Sequence, residues 1–312
     1  MRKQFPKRLR GYLLTAAAGL GIALIFFYPR EAKLYRQQEL LMGTLVEVIS
    51  PDERAPGIVF SQMRRLEKLF SRYDRQSEVS RLNRTGHLKA SPETFYIIKR
   101  SGELWEASSG AFDITVAPLA DLWGFTDRRY KVPAEAAIKD TLRLVGFDKI
   151  ILRDFDNVIQ FKFPGMKIDL GGAAKGYALD LSAQKLKAAG IDNCLINAGG
   201  QVFCLGKWKV GIMNPRGNDL AGDIELKDQS AATSGDYERY FISGGKRYAH
   251  ILDPRSGCPA DAGIGSVTVI ARDGLTADAL STAIFVLGKD KGEKLARQFS
   301  GVEVKITGDP DV

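Results

Sequence analysis

The hydrophobic positions of this chain recur with strand-like spacing in some segments and with helical spacing in others. The segment Leu40–Ser50 is rich in β-prone residues and is predicted as a first strand. Apolar residues three to four positions apart predict helices over Val59–Arg72, Pro92–Ser108 and Ala134–Val145. The polar segment Ser71–Asn83 lacks such spacing and is predicted as a loop or turn.

Short strands and glycine turns dominate the second half of the chain. A short strand ending at Asp169-Leu170 is predicted to pass through the turn Gly171-Gly172 into a helix that begins at about Ala173 and stops at Gly190. Further strand-like runs are Lys149–Leu152, Val158–Phe163, two within Cys194–Leu205, Trp208–Met213, Asp223–Leu226, Ala231–Ser234, Tyr240–Ser243, Lys246–Leu252, Ser266–Ala271 and Val302–Thr307. Together with the helices, these runs predict a mixed α/β or α+β protein.

The N-terminal region reads as a membrane anchor. Residues 11–27, GYLLTAAAGLGIALIFF, carry no charge and follow a basic start. Their length is at the short end for a membrane span, and no small-residue cleavage site follows. We expect a cytoplasmic basic region over 1–10, a transmembrane anchor or uncleaved signal over 11–28, a polar linker over 29–38 and one folded domain over 39–312, delivered outside the cytoplasm. A cleaved signal peptide is the alternative.

Charge and cysteine content narrow the function further. The net charge of +8 is concentrated in residues 1–36, which hold eight basic residues against Glu31, so the rest of the chain is close to neutral. A nucleic-acid partner is therefore not expected. Cys194, Cys204 and Cys258 form no CxxC motif and are predicted as small buried residues, with a Cys194–Cys204 disulfide as the alternative.

The segment Lys246–Leu287 carries the residues best suited to chemistry. His250 could act as an acid or base, or could be a hydrogen-bonded core histidine. Asp278 and Thr282 are four positions apart on one helix face, and their oxygens are of the kind that Mg²⁺ prefers. A carboxylate in a helix first turn beside a back-bonding threonine is the structural alternative.

A second candidate region lies upstream. Gly171-Gly172, between a strand and a helix, would expose backbone N–H groups to an anion. Lys175 then lies in the first helical turn, where a cation is unfavourable unless an anionic ligand or a carboxylate is near. Asp169 could equally be a simple turn cap. Two histidines and no CxxC motif argue against a zinc site.

Eight motifs, in order, resemble those of one family, the FAD:protein FMN transferases, also called the ApbE family. The resemblance runs from about Leu41 to Val312. Its motifs are MGT at Met42–Thr44, RYD at Arg72–Asp74, GAFDITVAPL at Gly110–Leu119, IDLGGAAKGYALD at Ile168–Asp180, INAGG at Ile196–Gly200, ATSGDYER at Ala232–Arg239, HILDPRSG at His250–Gly257 and TADALSTAIFVLG at Thr276–Gly288.

The resemblance implies an α+β fold, a single mixed α/β domain of the ApbE-like, T-fold-related type, with FAD in a groove. It also implies a Mg²⁺-dependent reaction in which FAD is split at its pyrophosphate, FMN passes to a Thr or Ser hydroxyl of a target protein, and AMP is released. The implied targets are flavoproteins of membrane electron-transport complexes or small FMN-binding domains. The implied location is the periplasmic side of the bacterial inner membrane, reached here through the predicted anchor instead of the lipid-modified cysteine that many members carry.

Site residues carry over from the motifs one by one. His250 is the implied catalytic residue, and Asp278, Thr282 and the carbonyl oxygen of Gly172 are the implied metal ligands. Ser281 stands where some members have a second carboxylate, which makes a two-metal arrangement less well supported. Lys175 would complement the charge of the pyrophosphate or pair with a carboxylate. The implied flavin contacts are Met42, Tyr73, Ala111, Phe112, Asp113, Asp169, Lys175 and Leu252.

Two other functions are compatible with the same residues. An FAD pyrophosphatase would use water as the acceptor and release FMN and AMP. A flavin-binding or carrier protein would bind FAD without turnover. The presence of His250, Asp278 and Thr282 favours an enzyme, because a carrier needs the flavin contacts but not the metal.

Overall fold

The structure, a computed structural model, describes residues 33–214 and 220–308 and confirms a mixed α/β fold. Its strands are β1 (Tyr35–Leu41), β2 (Thr44–Ser50), β3 (His87–Lys89), β4 (Ile150–Arg153), β5 (Val158–Phe161), β6 (Cys194–Ala198), β7 (Gln201–Leu205), β8 (Lys207–Met213), β9 (Leu220–Lys227), β10 (Ser230–Gly235), β11 (Tyr240–Ser243), β12 (Lys246–Ala249), β13 (Ile264–Ala271) and β14 (Glu303–Gly308). Its helices are α1 (Ala55–Phe70), α2 (Glu78–Thr85), α3 (Pro92–Ala107), α4 (Ala117–Leu122), α5 (Glu135–Leu142), α6 (Ala174–Ala188), α7 (Gly274–Leu287) and α8 (Lys289–Ala296).

Seven strands form one antiparallel sheet in the order β1-β2-β6-β7-β10-β13-β14. Helices α1, α6 and α7 pack on one face, and the β8–β9 hairpin covers the other. In β7, Phe203 and Leu205 enter the core beneath the helices, whereas Val202 and Cys204 enter the core beneath the hairpin. Covering both faces explains why the central strands β6 and β7 are buried at every position instead of alternating with exposed residues.

Two tight turns at the same end of the sheet shape the cavity described below. The predicted turn at Gly199-Gly200 is confirmed and joins β6 to β7 with both glycines at positive φ, 60° and 89°. Met42 and Gly43, at φ 51° and 74°, join β1 to β2 in the same way. A Cβ on Gly199 would lie 2.1 Å from Thr44 Oγ1, so only glycine allows the two turns to approach this closely.

Other sequence predictions need correction. Tyr35–Leu41 is an edge strand, β1, although its first four residues fall in the predicted polar linker. The predicted loop Ser71–Asn83 contains the start of helix α2, which Ser77 caps by accepting a hydrogen bond from the backbone N–H of Ser80. Helix α8 has no counterpart among the predicted elements.

The predicted strand ending at Asp169-Leu170 is not a strand. The backbone N–H and carbonyl of Ile168 bond instead to the side-chain amide of Asn83, at 2.7 and 2.9 Å. The amide of Asn83 satisfies the hydrogen-bonding groups of this buried backbone, as a neighbouring strand would. A segment with the apolar pattern of a strand can therefore be buried outside a sheet.

All three cysteines are free thiols, and the alternative of a Cys194–Cys204 disulfide is wrong in this structure. Cys194 and Cys204 are buried on adjacent strands, as predicted, whereas Cys258 is partly exposed. The predicted membrane anchor at 11–28 lies outside the described residues. Among the residues that the structure does describe, no helix has the length and apolar character needed to span a bilayer.

Candidate active site

One cavity of about 560 Å³ gathers all twelve residues that the sequence motifs singled out. They come from six separate stretches of chain, spaced over more than two hundred residues. The set is Met42, Tyr73, Ala111, Phe112, Asp113, Asp169, Gly172, Lys175, His250, Leu252, Asp278 and Thr282. A volume of this size falls within the range typical of small-molecule sites.

The floor of the cavity is built where the first turns of α6 and α7 touch. A Cβ on Gly176 would lie 2.0 Å from the carbonyl oxygen of Gly274, and one on Gly274 would lie 2.4 Å from that of Gly176. The backbone N–H of Gly176 donates to Asp278 Oδ2 at 3.1 Å. Asp180 of α6 in turn accepts from the N–H groups of Gly274 and Leu275, at 2.5 and 3.0 Å. These contacts keep the side chains of Lys175 and Asp278 close to each other.

Asp278 is a buried carboxylate placed beyond the first turn of its helix. Asp273 is the N-cap of α7 and accepts from the N–H of Thr276 at 2.8 Å, so capping does not explain Asp278. Burial raises the pKa of Asp278, while Lys175 and the N–H of Gly176 oppose that rise. Lys175 Nζ lies 3.9 Å from Asp278 Oδ1, which identifies the predicted neighbouring carboxylate.

Two more oxygens face the same point. The Thr282 hydroxyl donates to the Asp278 carbonyl at 3.3 Å, as the structural alternative expected. A Cβ on Gly172 would lie 3.3 Å from Thr282 Oγ1 and 3.2 Å from the Phe112 ring, so the Gly172 backbone borders a small gap next to Thr282. No group of three His, Cys, Asp or Glu residues suited to a metal occurs within residues 33–214 and 220–308. Any metal here would therefore need hydroxyl, carbonyl or substrate oxygens in addition to carboxylates.

Ser281 is turned away from this gap. It is fully buried, and its hydroxyl lies 2.8 Å from both the Asp278 carbonyl and Ser234 Oγ. Helix α7 thus presents a single carboxylate to the cavity. Ser234 also lies 3.4 Å from Thr282 Oγ1 and links strand β10 to the same oxygens.

Asp169 serves both as a turn cap and as an ion-pair partner. Its Oδ1 accepts from the N–H of Gly171 at 2.9 Å. Its Oδ2 accepts from Arg72 at 2.8 Å, and Arg72 also donates to Asp121 at 2.6 Å. The pairing of Lys175 with Asp169 that the sequence allowed is not formed, because Arg72 occupies that role.

The predicted flavin-contacting residues form one wall of the cavity. Met42, at positive φ, donates its N–H to Glu67 at 2.8 Å, while Ala111 and Phe112 are buried beneath the wall. Tyr73 is 62% exposed, so its ring is available for stacking. Leu252 is buried beside them.

Asp113 is held by the protein itself. Its Oδ1 accepts from both the N–H and the hydroxyl of Thr115, at 2.8 and 2.6 Å, and its Oδ2 accepts from the N–H of Phe147 at 3.1 Å. Burial raises the pKa of Asp113 to about 6 against these three donors. This carboxylate therefore fixes the turn Ile114–Val116 that follows the cavity wall.

His250 lies at the end of β12 in a fixed orientation. Its backbone N–H and its Nδ1 both face the carbonyl oxygen of Arg239, at 2.9 and 3.2 Å. A carbonyl only accepts, so this bond requires the proton on Nδ1 and leaves Nε2 with its lone pair. Enclosure by protein lowers the pKa of His250 to about 4, and Arg239 and Lys175 lower it further against the Arg239 carbonyl and Asp169. The imidazole is therefore neutral at pH 7.

Comparison with known proteins places these residues in a family. The sequence model of the ApbE family matches residues 42–306. The chain belongs to the ApbE family. A Klebsiella pneumoniae FAD:protein FMN transferase is 34% identical over 288 residues, which cover 90% of this chain and 91% of that protein. A Treponema pallidum FAD:protein FMN transferase is 33% identical, covering 86% of this chain and 83% of that protein.

Solved ApbE structures share the fold. The crystal structure of the Thermotoga maritima ApbE protein has a TM-score of 0.81 at 38% identity, covering 88% of this chain and 94% of that one. The flavin transferase ApbE of Vibrio cholerae has a TM-score of 0.80 at 27% identity, covering 90% and 95%.

Some residues of this ApbE cavity were not predicted from the motifs. Arg72, Ser234, Glu238 and Arg239 all line it. Arg72 is adjacent to Tyr73 in the RYD motif, and the other three belong to the ATSGDYER motif. The ATSGDYER motif contributes to the family resemblance but predicts no role for its residues, because a strand and the turn after it have no spacing that marks a site.

Proposed function

We propose that this cavity performs a Mg²⁺-dependent transfer of FMN from FAD to a Thr or Ser hydroxyl of a target flavoprotein, with release of AMP. As a member of the ApbE family the chain is an FAD:protein FMN transferase, a transferase that uses FAD as its substrate. One observation carries the detailed proposal: Lys175, Asp278 and Thr282 lie in the same cavity as a neutral, oriented His250. The chemistry needs charge neutralisation and a proton acceptor, and these residues supply both.

The oxygens around Asp278 fit a magnesium ion. A carboxylate, a hydroxyl and a backbone carbonyl are hard ligands, and Mg²⁺ commonly takes one or two carboxylates while substrate phosphates and water complete its shell. Because Gly172 has no side chain, whose Cβ would lie 3.3 Å from Thr282 Oγ1, the space beside that hydroxyl stays open to such an ion. Bound by Asp278, Thr282 and the Gly172 carbonyl, Mg²⁺ would neutralise the diphosphate of FAD. Lys175 adds a positive charge from the start of α6.

His250 is proposed to take the proton of the incoming hydroxyl. Its Nε2 lone pair is free, because the Arg239 carbonyl holds the other ring nitrogen. Its low pKa keeps the ring unprotonated over the whole neutral range. Tyr73, Phe112 and Met42 would hold the isoalloxazine so that its phosphate stays near the base, and the Arg72–Asp169 pair would fix the wall opposite.

Two assays separate this reaction from its alternatives. The purified chain is incubated with FAD, Mg²⁺ and an acceptor domain that carries a threonine, and both covalent flavin fluorescence in a denaturing gel and AMP are measured. Labelled acceptor with equimolar AMP is expected. AMP without labelled acceptor would instead support an FAD pyrophosphatase, and bound FAD without AMP would support a carrier.

The location of the enzyme is also a proposal. The uncharged residues 11–27 behind a basic start support a single-pass anchor in the bacterial inner membrane with the domain on the periplasmic side. Targets would then be flavoproteins of membrane electron-transport complexes. Protease added to spheroplasts should digest the domain while the inner membrane stays intact. Protection until the membrane is broken would refute this orientation.

A further inference from the structure

Glu238 is one of the residues that line the cavity. It lies in the turn that leaves β10, three residues after Gly235. A Cβ on Gly235 would lie 2.3 Å from the Tyr237 ring, so glycine at this position leaves room for that ring to pack against the turn. The fold places Glu238 on the lining of the cavity together with Lys175, Asp278 and Thr282.

The carboxylate of Glu238 has no partner within residues 33–214 and 220–308. Neither a hydrogen bond nor an ion pair reaches it, whereas nearby acids are paired: Asp253 with Arg255 at 2.8 Å and Asp261 with Lys246 at 2.8 Å. The next residue, Arg239, uses its carbonyl to hold His250. An unpaired carboxylate close to Lys175 and Asp278 is available to a ligand that enters the cavity.

Charge balance identifies the kind of ligand. The cavity receives FAD, whose diphosphate is an anion, and Glu238 and Asp278 add two carboxylates to it, with Lys175 close to both and Arg128 and Arg239 elsewhere on the lining. Enclosure raises the pKa of Glu238 to about 7; Lys175 lowers it and the Asp278 charge raises it. Two carboxylates add repulsion toward a diphosphate, and a divalent cation bound between them would remove that repulsion.

Helix α7 does not supply a second carboxylate. Ser281 is buried, and its hydroxyl is committed to Ser234 and to the Asp278 carbonyl. Glu238 follows strand β10 and lines the same cavity, and Ser234 of that strand lies 3.4 Å from Thr282 Oγ1.

We propose that Glu238 is the second carboxylate for the divalent cation held by Asp278, Thr282 and the Gly172 carbonyl. The inference rests on the proposed metal site and adds a ligand from outside α7. The cation is thereby clamped between the β10 turn and α7, with one carboxylate from each side. Glu238 stands in for the carboxylate that Ser281 does not provide.

The test measures metal binding directly. Mn²⁺ is titrated on ice into the full-length chain saturated with FAD, and free Mn²⁺ is read from its EPR signal against a blank of FAD alone. Glu238→Gln, which keeps shape and removes charge, is expected to weaken Mn²⁺ binding at least about tenfold. Glu303→Gln, an exposed glutamate on β14 away from the cavity, is the matched control and should bind as the parent does. Glu238→Asp should retain most of the affinity.

Three outcomes would overturn the inference, and they are distinguishable. Parent-like Mn²⁺ affinity in Glu238→Gln would refute the ligand role, even if transfer of FMN were slowed. A loss of affinity equal to that of Glu303→Gln would show a non-specific charge effect. If the parent chain bound no Mn²⁺ beyond the blank, the proposed metal site itself would fail and this inference with it.

Discussion

The contact between Gly176 and Gly274 makes a sharp prediction about how the active site is assembled. In Gly176→Ala the new Cβ would lie 2.0 Å from the Gly274 carbonyl oxygen, a backbone atom that cannot rotate away. An ordinary contact needs more than 3 Å, so α6 and α7 must separate by roughly 1 Å or more. That movement also stretches the hydrogen bond from the Gly176 N–H to Asp278.

The expected loss of stability follows from two opposing effects. Overpacking of this kind costs about 1–3 kcal/mol, and weakening a buried hydrogen bond to a carboxylate costs about 1.5–3 kcal/mol. Replacing a helical glycine by alanine returns up to about 1 kcal/mol. The free energy of unfolding should therefore fall by about 1.5–6 kcal/mol. Because Asp278 moves with α7, Mg²⁺-dependent FMN transfer should fall as well.

Gly57→Ala provides the matched control. Gly57 lies in helix α1, is exposed, and has no atom within 4 Å of a Cβ added there. This substitution should stabilise the protein by about 0.4–1 kcal/mol. Urea unfolding of both variants, followed by circular dichroism, gives the comparison. Equal unfolding midpoints for the two alanine variants would refute the idea that this backbone contact sets the helix spacing.

Three further predictions concern the chemistry. His250→Ala should lower the transfer rate by about 10²–10⁴-fold with little change in FAD affinity; an unchanged rate would remove its role as base. Asp278→Asn should fold at least as well as the parent at pH 8, because burial raises the pKa of the carboxyl group. Its Mg²⁺-stimulated transfer rate should nevertheless fall more than about 100-fold. If Mg²⁺ still stimulated transfer in this variant, the metal would not bind at Asp278. The titration of His250 can be followed in imidazole ¹⁵N spectra, in which the His87→Gln variant assigns the signals of the two histidines. His250 should titrate near pH 4 and be neutral at pH 6. A titration midpoint near 6.5 would refute the enclosure of its ring.

The lowered pKa of His250 also fixes the sign of one pH effect on stability. The folded pKa of about 4 is below the unfolded value of about 6.5. The stability contributed by the neutral ring is complete above pH 6.5 and is lost as the pH falls through 4. A difference of this size corresponds to about 3 kcal/mol, which the partial exposure of the ring to the cavity will reduce. The difference between the parent and His250→Ala in urea unfolding, compared at pH 7 and pH 4.5, measures it.

Local signals were enough for the elements bounded by glycine. Gly199 and Gly200 mark the β6–β7 hairpin, and Gly190 marks the end of α6, because both need conformations that favour glycine. Helix α2 was missed because it buries just Val79, Ser80 and Leu82, too few for a visible apolar stripe. The segment near Ile168 was predicted as a strand but is not one. Its apolar residues are buried without a neighbouring strand, and the Asn83 side chain provides the backbone hydrogen bonds.

The site was predictable to the extent that its residues fall in motifs, and the cavity does bring all twelve of them together. The sequence does not show which residues from distant segments form hydrogen bonds or ion pairs with each other in the fold. Arg72 joins Asp169 across ninety-seven positions, and Gly176 reaches Asp278 across one hundred and two. Glu238 shows the same limit, because its importance depends on being unpaired in space, which no spacing along the chain reveals.

The three thiols of this protein differ in a way that has practical use. Burial raises the pKa of Cys194 to about 12 and raises that of Cys204 well above its usual range, so neither forms the reactive thiolate at neutral pH. Cys258 alone is partly exposed, on the loop closed by the Leu252–Pro259 bridge, eight residues after His250. A maleimide dye will therefore label the native enzyme at one position, and the attached fluorophore will report on the active-site loop without any cysteine having to be engineered.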